Sequence, residues 1–189
     1  MKLADIAEIK IGYNYRRETT LHDIKQTVAI PIIQPKDVKC IKIADIESFD
    51  KISLVDTKDK YFLTANEVLF SNKGEFKAFV WCGKEKTMVS SAFYRINLFN
   101  NQYLPEYVAI YLNSPLGRAQ LNLRQNTERV STITISDVKQ IDIPLIPLEK
   151  QKQVAALYLL YEKEVDIMEK IKQNRKKLIN SILNQTIKE

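Results

Sequence analysis

At 189 residues, with 45% hydrophobic and 28% charged side chains, the chain has room for one ordinary domain and an appendage, or for two very small domains, and it is too apolar for a disordered polymer. Its net charge of +6 permits a polyanionic partner. Because residues 1–148 carry 20 Lys and Arg against 17 Asp and Glu, and residues 149–189 carry 9 against 6, neither part is a basic tail, and any such binding must come from local clusters.

The start, "MKLADIAEIKIG", is interrupted by Asp5 and Glu8 and is not a signal peptide, and no apolar run reaches the roughly 18–20 residues that span a bilayer. A cytoplasmic protein is expected. Short β-rich stretches follow: "IAEIKI", "VAIPII", "CIKIADI", "EVLFS", "KAFVWC" and "AFYRINL", with Gly74 and Gly83 where strands must turn or kink. After Asn101 the apolar period becomes helical. Two helices are predicted to meet at Asn113–Ser114, where Ser114 and Pro115 form an N-cap and first-turn pair. "VSTITISDVKQIDIP" returns to extended chain or a short helical turn. The expected fold is α+β: a mixed domain over 1–148 and a long helix over 149–189. His22, in the polar stretch "TTLHDIKQ", reads as a solvated residue, and Cys40 and Cys82 are too far apart in sequence for a zinc motif.

Pro144 and Pro147 stop any preceding helix, and from about Glu149 the chain follows a heptad. Positions a are Val154, Tyr161, Met168, Arg175 and Ile182; positions d are Leu157, Glu164, Ile171, Leu178 and Gln185. Val165 and Ile179 widen the stripe. Such a rod, roughly 55 Å long, outruns one side of a 150-residue domain; it can pack on its own domain as a terminal helix, but the preferred reading buries much of its stripe against another helix. The polar interruptions Glu164 and Arg175 favour an antiparallel or heteromeric bundle over a parallel zipper.

Three polar clusters mix basic groups, suited to phosphates, with amide or planar groups suited to base edges. They are Tyr13, Asn14, Tyr15, Arg16 and Arg17; Asn72, Lys73 and Lys77; and Arg124, Gln125, Asn126, Thr127 and Arg129. Read blandly, each is a solvated loop; "CGKEKT" is a weaker fourth cluster, more readily read as a charged turn. There is no Gly-rich phosphate loop, no Asn/Asp-Pro-Pro-aromatic methyltransferase motif and no His/Cys cluster for a metal, so neither cofactor nor metal is expected. A rival enzymatic reading takes Asp59, Glu75 and Lys77 as a Mg²⁺-dependent nuclease, which metal-dependent cleavage by the purified protein would reveal. A third reading is a helical adaptor with no DNA role.

"IDIPLIPLEKQ" leading into the heptads resembles the end of a target-recognition domain and the spacer helix in DNA specificity subunits of type I restriction–modification systems. Pro144, Leu145, Pro147, Leu148 and Gln151 match that family's "IPLPPLxEQ"-like run, whereas Ile146 and Lys150 depart from it. "KLADIAEIKIG" is similar to the family's opening. "NEVLFSNKGE" resembles its central strand and turn, with Asn66 and Glu67 in place of Gly-Asp, and "YLPEYVAIYLNSP" resembles the following helix. The resemblance implies a non-catalytic DNA-binding subunit that directs a methyltransferase subunit, and through it a restriction subunit, to double-stranded DNA. Family subunits usually hold two recognition domains and two spacer helices. This chain resembles one half, which implies a homodimer joined through Val154, Leu157, Tyr161, Met168, Ile171, Leu178 and Ile182 and reading inverted half-sites.

Overall fold

The runs Val68–Phe70 and Ala78–Trp81 are apolar without polar alternation, which is the pattern of strands covered on both faces. A computed structural model describes residues 1–14, 28–38, 40–44, 49–54, 59–123 and 132–187. In chain order the elements are α1 (Leu3–Ile6), β1 (Ala7–Ile11), β2 (Val28–Ile33), β3 (Lys42–Ile43), β4 (Lys51–Leu54), β5 (Val68–Ser71), β6 (Ala78–Trp81), β7 (Met88–Val89) and β8 (Phe93–Leu98). Four helices follow: α2 (Pro105–Asn113), α3 (Pro115–Asn122), α4 (Ile135–Lys139) and α5 (Leu148–Thr186).

Five strands form one sheet in the order β1-β8-β5-β6-β3, and three form another in the order β4-β2-β7. Alternation within the central strands divides the core. Val68, Phe70, Ala78, Val80 and Ile96 face α1, α2 and α4 with Leu3, Ile6, Val108, Leu112 and Val138. Leu69, Phe79, Trp81 and Phe93 face the second sheet through Ile33 and Val89. The neighbouring residues Ile32 and Met88 point to that sheet's other side, where Ile30, Tyr13, Ile52, Tyr61 and Phe62 complete a smaller cluster. The fold is therefore α+β, a mixed domain followed by one long helix.

The two helices meet at Asn113–Ser114 as expected. Ser114 Oγ accepts the Gly117 amide at 3.2 Å, and the Asn113 side chain pairs with both the amide and the carbonyl of Ala78 at 2.8 and 2.7 Å, tying α2 to the end of β6. Gly74 takes a positive φ of 71° in the turn after β5. Strands β4 and β7 carry no clear sequence signal, since one is flanked by charge and the other is two residues long. "CIKIADI" is shorter than expected, with strand only at Lys42–Ile43 among its described residues. The short helical turn in "VSTITISDVKQIDIP" is α4, closed by a reciprocal capping box between Thr134 and Asp137.

Helix α5 docks on its own domain at its start only. Gln151 and Ala155 are buried, Tyr158, Leu159 and Glu162 are half-buried, and residues 163–187 are exposed throughout, about 37 Å of free rod. Gln151 is fully buried, accepts from the Leu104 amide at 2.8 Å, and donates to the carbonyls of Gln102 and Ile146 at 2.8 and 2.9 Å. Farther along, the Glu162 carboxylate accepts the Ile41 amide at 2.9 Å. Burial raises its pKa above the usual carboxyl range, against the lowering effect of that amide. Gln151→Ala strips three backbone groups of their partner. It should cost about 1–3 kcal/mol in a denaturant melt.

Candidate functional site

The end of β1 lies against the tight turn at Ser90–Ala92. Gly12 donates to the Phe93 carbonyl at 2.9 Å, and Tyr13 donates to Val89 at 2.7 Å while accepting from the Ser91 amide at 2.8 Å. A Cβ on residue 12 would sit 2.2 Å from the Ser90 carbonyl oxygen, so this approach requires glycine. From the other side, the Asn72 backbone donates to Ala92 and its Nδ2 donates to the Ser91 carbonyl, both at 2.9 Å. The Asn72 carbonyl accepts from Ile133 at 3.2 Å, and Lys73 bridges Thr132.

One turn thus gathers residues of the first two polar clusters and the segment that follows the third, all far apart in sequence. Tyr13 and Asn14 leave it on one side and Lys73 on another, and Thr132 follows the third cluster by three residues. Tyr15, Arg16 and Arg17, together with Arg124, Gln125, Asn126, Thr127 and Arg129, lie outside the described residues, as does His22. Asn72 is 5% exposed and holds the turn with its amide instead of presenting it outward. Its Oδ1 and the Oγ of buried Ser90 are the two polar side-chain atoms left without a hydrogen-bond partner among the described buried residues. Such orphans are costly unless a water or ligand group meets them.

A second device lies under the neighbouring loop. Arg95 of β8 donates from Nε and Nη2 to the two oxygens of Glu67 at 2.8 and 2.7 Å. Its Nη1 and Nη2 also reach the carbonyls of Lys60 and Phe62, at 2.8 and 2.7 Å. Glu67 accepts further from the amide and hydroxyl of Thr64. Both charged side chains are buried. This pairing escapes sequence reading, although a charged residue inside the apolar strand "AFYRINL" is its one visible trace. The loop it holds places the Tyr61 ring edge-on to Tyr13, with centroids 4.9 Å apart.

Lys77 belongs elsewhere. It pairs with Glu75 at 2.6 Å and lines a cleft with Arg118, Tyr158 and Glu162 near the start of α5. The hydrogen bond and charge of Lys77 lower the Glu75 pKa. Asp59 sits on the separate turn held by Arg95. Among the described residues, no three His, Cys, Asp or Glu side chains are grouped to hold a metal ion. Among them too, no helix is long and apolar enough to cross a membrane.

Residues 1–177 match the family model of the type I restriction modification DNA specificity domain. The chain belongs to this family. No curated protein matches the sequence of this specificity domain. Among solved structures it is similar to a chain of a type I R-M system studied for complex assembly and conformational transition, with a TM-score of 0.64 and 16% identity over 90% of this chain and 40% of that one. It is also similar to the HsdS subunit from Thermoanaerobacter tengcongensis, with a TM-score of 0.61 and 15% identity over 90% and 39% of the two chains. For the type I restriction–modification S subunit from M. genitalium the values are 0.58 and 15%, over 93% and 42%. The specificity domain thus spans about two-fifths of the length of these chains. At such identities the likeness is one of fold.

Proposed function

We propose that the protein is a non-enzymatic specificity subunit that binds double-stranded DNA through the face rooted at the Ser90–Ala92 turn and directs a methyltransferase subunit, and through it a restriction subunit, to a target sequence. Family membership supports the DNA partner. The observation that carries the reading is convergence: Tyr13 and Asn72–Lys73, from two of the polar clusters, and Thr132, three residues after the third, meet around one turn although far apart in the chain. Asn72 serves there as a positioning residue. The pairing of Glu75 with Lys77, apart from Asp59, favours this reading over the nuclease.

The second part of the proposal is a homodimer through α5, dividing the chain into a recognition domain over 1–148 and a pairing helix over 149–189. Its support is the exposure of the heptad stripe: Val154, Leu157, Tyr161, Met168, Ile171, Leu178 and Ile182 are 37–71% exposed. An apolar face of that length is uncommon on an isolated chain.

The recognition reading is tested at Arg16 and Arg124, which follow and precede the turn's roots in sequence. If either reads a base, its replacement by Ala should cost about 1–3 kcal/mol and relax choice at one base position. Methylation mapping in cells expressing the chain with its methyltransferase identifies the target and the relaxed position. Unchanged binding by the double variant would remove these loops from the interface.

A further inference from the structure

We infer that the paired loops at 59–63 and 84–87 form a sequence-independent phosphate grip on the same DNA, made by Lys60 and Lys86. This deepens the DNA-binding reading and rests on it. The two loops are one unit: the Leu63 amide donates to the Thr87 carbonyl at 2.9 Å, and Thr87 is fully buried. Tyr61 connects the unit to the recognition face by its edge-on contact with Tyr13.

Ring contacts distinguish the two lysines, since Lys51, Lys73 and Lys84 on the same domain also form no ion pair among the described residues. Lys10, Lys36, Lys42 and Lys77 on the same domain are each paired with a carboxylate. Lys60 and Lys86 are exposed and pair with no carboxylate among the described residues; their ammonium groups lie over aromatic rings. Lys60 Nζ is 5.0 Å from the Tyr61 centroid, and Lys86 Nζ is 5.3 Å from that of Phe62. A ring face holds a cation in place without neutralising it. The charge therefore remains available to an anion. Asp59 and Glu85 share the loops, so the feature is two positioned ammonium groups and not a broad basic field.

Beneath them, buried Arg95 holds the Lys60 and Phe62 carbonyls. An ordinary solvated loop needs no guanidinium under its backbone. A binding loop gains from one, because ordering is then not charged against association. Phosphate is the fitting ligand chemistry, since an ammonium is a compact point charge and neither loop offers an Asn or Gln amide to read a base edge.

The test uses the full chain and short duplexes of differing sequence, with affinity measured across a salt series. For Lys60→Ala/Lys86→Ala, the slope of log K against log salt should shallow by about 1.8, two phosphates at about 0.9 each, with affinity falling by the same factor on every duplex. Lys139→Ala/Lys150→Ala, an equal charge change elsewhere on the surface, should leave the slope as it was. An unchanged slope in the first variant, an equal change in both, or a loss confined to certain sequences would overturn the grip while leaving DNA binding itself intact. Absence of salt-dependent binding by the unmodified chain would overturn the underlying reading and the grip with it.

Discussion

Arg95→Met is expected to destabilise the domain by about 3–5 kcal/mol, the cost of leaving a buried ion without its partner. The side chain removed donates to both oxygens of Glu67 and to the Lys60 and Phe62 carbonyls. Glu67 would stay almost fully buried with only Thr64 to solvate it. Against a typical total of about 5–15 kcal/mol, that loss is a large fraction of the folding free energy. Denaturant melts read it directly, and a cost below about 1 kcal/mol would mean that the pair behaves as an exposed one. The double variant Arg95→Met/Glu67→Leu separates stability from positioning. An apolar pair of similar volume can restore much of the stability, yet it offers no donors to the Lys60–Phe62 backbone. Recovery of the melt without recovery of the salt slope is the expected outcome.

Changing Leu157 and Ile171 together to Asp is expected to convert a dimer to a monomer while the recognition domain stays folded. Both residues are exposed on the single chain, at 71% and 46%, so the substitutions disturb none of its buried contacts. In an antiparallel seam each carboxylate would be buried without a partner, at several kcal/mol per ion. Two copies related by a twofold axis present two identical readers, so the target should be a pair of inverted half-sites with an unread gap. A helix of 39 residues, about 58 Å, sets that gap near one turn of DNA or more. Sedimentation at micromolar concentration should give a dimer for the unmodified chain, and the variant should lose partner-dependent methylation. A monomeric unmodified chain, or a methylated site without inverted repeats, would rule this assembly out.

The fold class, most of the main strands, the helix junction at Ser114 and the long terminal helix were legible in the sequence. Each rests on local chemistry: apolar period, turn glycines, a capping serine and the two prolines before α5. Gln151 was visible as part of a motif, but its reason was not, because its three backbone partners come from two other segments. The docking of α5 along its first turns was likewise hidden in a uniform heptad. Tertiary contact alone decided which polar residues face outward. Asn72 and Lys77 look alike in "SNKGEFK", yet the first is drawn inward by the Ser91 carbonyl and the second is turned toward α3 and α5 by its place across the hairpin. Lys60 and Lys86 come onto one pair of loops through the Leu63–Thr87 hydrogen bond, the first loop held from below by a buried arginine 35 residues away. Periodicity and capping are properties of residues a few positions apart, so the sequence carries them. A charge buried under a loop, or one turn shared by three distant segments, exists only once the sheets have closed.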